Sequence, residues 1–386
     1  MSRENLYYLN IYCNRFLGDM VPVMPILGLL LLERGFTLST ISLFFLCVAI
    51  TIIVVEIPAG FIADIKNPRL VVIISRLFKL LAFATLFIAF DIYTLCLAAV
   101  LWGLSSAFDS GAMQSYLFQL TRQRGDQEKF ESVYGNTFTA SLLGLLVAGL
   151  LAAQITVLGF TILQYIGIGA LVLCVLSVLF FPRVAEFVPI KEASEGRFAY
   201  GTSFRSLLSL KPILFILLGI GIFAGGIKGS LDEYVTLLLA DKGLAFGVIG
   251  YVVFCLEVLK TGGAAIASRF KLSIRIQLLV LGILGCAFLA AALGNFVVAI
   301  IALVTVIFID AILWVHNDTA IQRQASDENR ATVASVKNFG TEVLAAGVFF
   351  MTWLFGESIE ISSLYMIGGA LLVMTSISLF LKYRKI

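Results

Sequence analysis

Charged side chains inside long apolar segments are the residues of this sequence most able to do chemistry. A charge in the hydrocarbon of a bilayer costs at least about 2.5 kcal/mol, so such residues usually face a polar cavity and mark a pathway for a solute or an ion. We predict that role for twelve residues: Arg15, Asp19, Asp109, Lys228, Asp232, Glu233, Glu257, Lys260, Asp310, Asp318, Lys337 and Glu342.

The spacing of several of these charges predicts ion pairs within one helix. Arg15 and Asp19 are four residues apart, as are Lys228 and Asp232, while Glu257 and Lys260 are three apart. Residues at these spacings share a helix face. The alternative for each pair is that the two charges only neutralise one another and take no part in function.

A proton carrier should be a carboxyl without a cation close by. Burial disfavours the charged form of such a group, whereas a neighbouring cation favours it. Asp109 and Asp310 have no cation nearby on their own helices, in contrast to Asp19, Asp232 and Glu257. We therefore predict that Asp109 or Asp310 takes up a proton.

Metal and catalytic motifs are not evident in the sequence. His316 is the only histidine, and the six cysteines are isolated without a CxxC pair. Zinc sites and disulfide frameworks need closer spacings. Because HExxH, GxSxG and P-loop motifs are also missing, we expect no metal, no cofactor, no catalytic residue and no enzyme activity.

Twelve apolar stretches must position these charges. The chain has 386 residues, of which 60% are hydrophobic and only 13% charged. A segment of about 20 apolar residues can span a bilayer, and its backbone must then be helical unless it belongs to a closed barrel. These stretches lack the alternating polarity of barrel strands. We predict helices over 6–32, 38–62, 70–90, 93–119, 131–153, 156–181, 212–239, 245–268, 273–293, 296–321, 332–355 and 361–382.

Basic residues fall almost entirely in alternate gaps between the stretches. Such gaps remain on the cytoplasmic side of a membrane. The basic gaps and tails hold Arg3, Lys66, Arg69, Arg122, Arg124, Lys129, Arg183, Lys191, Arg197, Arg205, Lys211, Arg269, Lys271, Arg275, Arg323, Arg330, Lys382, Arg384 and Lys385. We predict a multi-pass protein of the bacterial inner membrane with both termini in the cytoplasm. The net charge of +3 gives no basic surface suited to nucleic acid.

The longest gap divides the stretches into two sets of six. We predict an all-α membrane protein with an N-terminal six-helix bundle over 1–182, a cytoplasmic linker over 183–211 and a C-terminal six-helix bundle over 212–386. Two related halves are a common transporter design.

The gap after the second stretch carries a recognisable pattern. It reads Glu56-Ile-Pro-Ala-Gly60-Phe-Ile-Ala-Asp64-Ile-Lys66-Asn-Pro-Arg69 and resembles the GxxxD-plus-basic signature of the major facilitator superfamily, although Ile65 and Asn67 depart from it. The segments 108–112 and 329–335 resemble a bacterial, 12-helix subset of the same family. The resemblance implies two six-helix bundles and a conformational latch, which we assign to Glu56, Gly60, Asp64, Lys66, Arg69, Arg269 and Arg330.

The predicted function is secondary active transport, by proton-coupled alternating access, of a small polar or amphipathic organic solute. The cations within the spans indicate a solute with anionic groups, such as a metabolite or a siderophore, and we expect protons and the bilayer as further partners of a functional monomer. Multidrug efflux by a drug/proton antiporter is the alternative. Span four lacks a buried arginine and span five lacks a Gly-Pro pair, which disfavours it. An intramembrane enzyme is a remote alternative.

Overall fold

The structure is a computed structural model that describes residues 3–65, 67–109, 112–183, 212–325 and 330–384. The described residues form helices joined by short turns. Among them are 12 helical segments long and apolar enough to cross a membrane. The predicted fold class, an all-α membrane protein with twelve spans, is confirmed.

The first six spans are built from eight α-helices. Proline residues interrupt span one after α1, because a proline lacks the N–H that an α-helix needs. A 3₁₀ turn over Met24–Ile26 then leads into α2. The helices are α1 (Arg3–Asp19), α2 (Leu27–Glu33), α3 (Leu38–Ile65), α4 (Pro68–Phe87), α5 (Ile92–Asp109), α6 (Ala112–Gln123), α7 (Phe130–Ala152) and α8 (Ile155–Leu179).

The last six spans contain a second interrupted helix. Span seven consists of α9, a π-helical turn over Ala224–Lys228, α10 and α11. A π turn is rare and is often found at functional sites. The helices are α9 (Pro212–Phe223), α10 (Gly229–Asp232), α11 (Val235–Asp241), α12 (Phe246–Ile266), α13 (Ile274–Leu293), α14 (Phe296–Gln324), α15 (Arg330–Phe355) and α16 (Ile361–Tyr383).

The described residues group into two compact units. The first contains 3–27 and 44–183, and the second contains 28–43 and 212–384. The predicted bundles would assign 28–43 to the N-terminal half, so the two divisions differ at this segment. Of the predicted linker only Arg183 lies within the described residues, and the domain boundaries stay a prediction.

The first unit is held together by apolar side chains and close helix approach. Val72, Met113 and Tyr116 are almost fully buried in one cluster. Gly103 of α5 lies against α3, where an added Cβ would be 2.6 Å from the Cβ of Thr51. Small residues permit this approach of two helix backbones within a membrane.

The second unit packs in the same way and includes segment 28–43. Gly285 of α13 meets α16 so closely that an added Cβ would lie 2.6 Å from the carbonyl oxygen of Gly369. Segment 28–43 turns at Gly35, whose φ of +83° suits glycine. The hydroxyl of Tyr234 donates to Ser42 Oγ at 2.7 Å, and Ser39 Oγ donates to the carbonyl oxygen of Trp353. Two hydrogen bonds therefore tie this segment to the rest of its unit.

Candidate functional site: the charge clusters within the spans

The first unit contains a three-residue ion-pair cluster drawn from three helices. Arg15 of α1 lies 2.6 Å from one carboxylate oxygen of Asp109, the last residue of α5. Arg76 of α4 lies 3.2 Å from the other oxygen. Arg76 is 3% exposed, whereas the side chains of Arg15 and Asp109 are 19% and 24% exposed. One cation is therefore fixed in the interior while the other remains accessible.

Neighbouring polar residues extend this cluster. Arg76 Nε donates to Asn14 Oδ1 at 3.1 Å, and the amide of fully buried Asn14 donates to the Cys174 carbonyl at 2.7 Å. Lys79 lies 2.9 Å from Asp19, which also accepts a hydrogen bond from Ser141. We name Arg15, Asp19, Arg76, Lys79 and Asp109 the first-unit cluster.

The predicted pair between Arg15 and Asp19 is wrong. Arg15 binds Asp109 and Asp19 binds Lys79. Four-residue spacing allows a pair along one helix but does not require it, since a partner on an adjacent helix can compete. The cations of α4 provide that competition here.

Arg76 and Lys79 were missing from the predicted site. In the sequence they lie toward the cytoplasmic end of span three, where long basic side chains commonly extend to the membrane interface. However, Arg76 is eight residues beyond the start of α4 at Pro68, which is about 12 Å of helix rise. That depth, about a third or more of the hydrocarbon thickness, was the signal that could have identified both residues.

The second unit centres on one lysine between two carboxylates. Lys228 closes the π turn and lies 2.6 Å from Asp232 on α10. It also lies 3.1 Å from Asp310 on α14. The predicted Lys228–Asp232 pair is confirmed. Asp310 and Asp109 have no cation nearby on their own helices, yet each is paired with cations of other helices. Neither residue is therefore the unpaired carboxyl that the predicted proton carrier should be.

Further acids lie around this lysine. Glu257 and Lys260 on α12 form the predicted pair at 4.0 Å. Glu233 follows Asp232, and among the described residues it forms neither an ion pair nor a hydrogen bond. Four charged neighbours act on it electrostatically, namely Asp232, Lys260, Glu257 and Lys228. We name Lys228, Asp232, Glu233, Glu257, Lys260 and Asp310 the second-unit cluster.

A separate pair joins α14 and α15. Lys337 lies 2.7 Å from Asp318, and its ammonium group is 5.9 Å from the centre of the Trp314 ring. The adjacent Asn317 amide donates to the Leu217 carbonyl at 3.0 Å. Glu342 lies on α15 as well, outside this pair.

Histidine and the acids give no metal site. His316 Nε2 donates to the carbonyl oxygen of Ala267 at 2.9 Å, which makes this residue a packing contact. In the part of the chain that the structure describes, no group of three or more histidine, cysteine, aspartate or glutamate side chains could hold a metal ion.

The predicted latch residues can be followed only in part. Arg69 donates to the Leu179 carbonyl at 2.6 Å, which ties the start of α4 to the end of α8. Glu56 lies on α3 and Arg269 ends a short 3₁₀ turn. The side chains of Gly60, Asp64, Lys66 and Arg330 lie outside the described residues, so the latch stays a prediction.

Known proteins resemble this chain over most of its length. The family model described as Major Facilitator Superfamily matches residues 7–349. An uncharacterized MFS-type transporter, YxaM of Bacillus subtilis (strain 168), is 24% identical over 239 residues. That match covers 59% of this chain and 57% of the relative, so the chain spans little more than half the relative's length.

Solved transporter structures share the fold at low sequence identity. A crystal structure of the nucleoside transporter NupG has a TM-score of 0.75 and 12% identity, and covers 99% of each chain. A bacterial homolog of the human lysosomal transporter Spinster has a TM-score of 0.69 and 15% identity, with 100% of this chain and 98% of that chain covered. The family match spans nearly the whole sequence, and this chain therefore belongs to the Major Facilitator Superfamily, as a multi-pass membrane protein.

Proposed function

We propose that the chain moves a small organic solute with an anionic group across the bacterial inner membrane by proton-coupled alternating access. The observation that supports this most is the charge of the first-unit cluster. It contains three cations (Arg15, Arg76, Lys79) and two carboxylates (Asp19, Asp109), so 3 − 2 leaves one positive charge unbalanced. An anionic solute would balance it.

Arg15 is the cation best suited to meet that solute. It is 19% exposed, whereas Arg76 is buried behind Asp109. A guanidinium can hold two oxygens of a carboxylate or phosphate at once. A solute carboxylate can therefore share Arg15 with Asp109, or displace it, without uncovering Arg76.

The relatives are compatible with a small polar solute. One of the similar structures is a nucleoside transporter, and another is a POT family transporter in complex with 5-aminolevulinic acid. The second structure has a TM-score of 0.69 and 11% identity. This likeness is one of fold, so it supports the size range of the solute rather than its identity.

Protons are the proposed energy source, and the acids of the second-unit cluster support that proposal. We propose further that the protein works as a monomer with both termini in the cytoplasm, without a cofactor or nucleic acid partner. Reporter fusions after Lys385 and within 183–211 test the topology, since a signal from outside the cell at either point would contradict it.

A drug/proton antiporter is the second candidate, and one observation favours it. The second-unit cluster has four acids (Asp232, Glu233, Glu257, Asp310) and two cations (Lys228, Lys260), so 2 − 4 leaves two negative charges. A cationic drug could bind there.

Solute counterflow in proteoliposomes distinguishes the two candidates. Purified protein is assayed with labelled organic acids, amino acids, nucleosides and siderophores, and with tetraphenylphosphonium as the cationic probe. We expect exchange of an anionic or zwitterionic solute, at least about tenfold weaker binding in Arg15→Gln, and unchanged binding in Lys129→Gln, whose ion pair lies at the surface. Exchange of tetraphenylphosphonium alone would favour the antiporter, and no exchange of any solute would reject both.

A further inference from the structure

Two cysteines from different helices bring their thiols together in the first unit. Cys47 lies on α3 and Cys96 lies on α5, and a side-chain hydrogen bond joins the two thiols. Both cysteines are free, and both are partly exposed rather than enclosed in the interior. A thiol is only a weak donor and a weak acceptor. The contact therefore reports that the two sulfurs lie close together, and it adds little attraction of its own.

The backbones of α3 and α5 approach one another closely enough for a covalent bridge. A Cβ added to Gly103 of α5 would lie 2.6 Å from the Cβ of Thr51 and 2.9 Å from the Val48 carbonyl oxygen, both on α3. The Cβ atoms of a disulfide are about 3.5–4.5 Å apart. Cys47 precedes Thr51 by four residues, and Cys96 precedes Gly103 by seven. Each spacing keeps the cysteine on the packed face of its helix.

Both cysteines lie nearer the first residue of their helix than the last. Cys96 follows the first residue of α5 by four positions, and Cys47 follows the first residue of α3 by nine. These separations correspond to about 6 Å and about 13 Å of helix rise. The predicted topology places the starts of both helices on the side away from the cytoplasm, where disulfides form and persist. The position of the pair therefore suits a thiol–disulfide reaction.

We propose that Cys47 and Cys96 form a dithiol site, which a small organic disulfide oxidises to a bond between α3 and α5. One cysteine sulfur attacks the small disulfide, whose S–S bond breaks as a mixed disulfide forms, and one small thiol leaves with the proton of that cysteine. The second cysteine attacks the protein sulfur of the mixed disulfide. The bond between the two cysteines then forms, and the second small thiol leaves with the second proton. Two cysteines are oxidised and one small disulfide is reduced, and the proximity of the sulfurs favours the second step.

The stoichiometry of the reaction with dithiodipyridine, an uncharged small disulfide, tests this proposal. Reduced, detergent-solubilised protein that retains only Cys47 and Cys96 is treated with one equivalent of the reagent, and the released thiopyridone is measured by its absorbance. We expect two thiopyridone molecules for each reagent molecule consumed, because the second cysteine displaces the pyridyl group. Mass spectrometry without reduction should show the two cysteine peptides linked to one another. A variant that retains Cys47 alone should release one thiopyridone and keep the pyridyl adduct.

Unmodified protein with all six cysteines provides the same test without replacements. Cys255 is exposed and is the internal control, since it should carry the pyridyl adduct while Cys47 and Cys96 are linked. Cys255→Ser should form the link as the unmodified protein does. Pyridyl adducts on both Cys47 and Cys96 without a link, or unreacted thiols at both while Cys255 carries the adduct, would overturn the inference. The measurement requires no transported solute, so a failure of counterflow would reject the proposed function alone.

Discussion

The two charge clusters are built from similar residues but carry opposite surpluses. The first-unit cluster has three cations for two acids, and the most buried of its charges is a guanidinium, Arg76. The second-unit cluster has four acids for two lysines, and its most buried charge is Lys228. Arginine stays charged in proteins, whereas carboxylates can accept protons. The difference indicates a fixed positive site in one unit and a titratable site in the other.

The largest expected effect comes from removing the charge of Asp109, one of the two acids of the first-unit cluster. Asp109→Asn leaves buried Arg76 without its ion pair, and loss of one partner of a buried pair costs about 3–5 kcal/mol. We expect the temperature at which half of the detergent-solubilised protein remains in its monodisperse peak to fall by more than about 5 °C. Asp126→Asn, in the exposed pair with Lys129, should change it little. Equal shifts in the two variants would mean that the first-unit cluster is not structural.

The next effect concerns Lys228, the buried lysine of the second-unit cluster. Lys228→Met leaves Asp232 and Asp310 without their shared cation, so two like charges remain in a buried place. We expect transport to fall at least about tenfold. The double variant Lys228→Met/Asp232→Asn should recover part of this loss in the counterflow assay, because only one charge then stays unbalanced. If the double variant transports no better than Lys228→Met, then Lys228 does more than balance the charges of these two acids.

A smaller effect is expected where segment 28–43 is attached. Ser42→Ala removes the acceptor of the Tyr234 hydroxyl, and a typical hydrogen bond contributes about 1 kcal/mol. The temperature at which half of the detergent-solubilised protein remains in its monodisperse peak should fall by about 2 °C. Thr40→Ala is the matched control, since among the residues that the structure describes the Thr40 hydroxyl bonds to neighbouring Thr37. A decrease of similar size in the control would argue against a specific role for the Tyr234 contact.

The smallest effect is expected at the weakest ion pair. Lys260 is 51% exposed and lies 4.0 Å from Glu257, and an exposed pair contributes about 0–1 kcal/mol. Lys260→Gln should therefore leave thermal stability unchanged within error. It should still increase the negative surplus of the second-unit cluster and shift the pH dependence of solute counterflow toward higher pH. A large loss of stability would contradict the small contribution that we assign to this exposed ion pair.

The correct predictions from the sequence depend either on residues close together in the chain or on the summed hydropathy of a whole helix. The twelve spans follow from apolar length alone, and the Lys228–Asp232 pair follows from four-residue spacing. The Arg15–Asp109 contact joins residues 94 positions apart, and no spacing rule predicts it. The same holds for Tyr234 and Ser42, which are 192 positions apart. Packing decides which helices are neighbours. The periodicity of a single helix carries no information about that choice.

The π turn before Lys228 has an evolutionary consequence. A π turn contains one residue more than an α turn, so it behaves as a single-residue insertion within span seven. Deleting one residue of the glycine pair Gly225–Gly226 would restore a continuous α-helix and rotate one side of span seven by about 100° relative to the other. Lys228 would then lose its alignment with Asp310 or with Asp232. We therefore expect selection to preserve the length of this short turn more strictly than the identity of most apolar residues around it, and variants with one residue deleted here should be absent among functional descendants of this sequence.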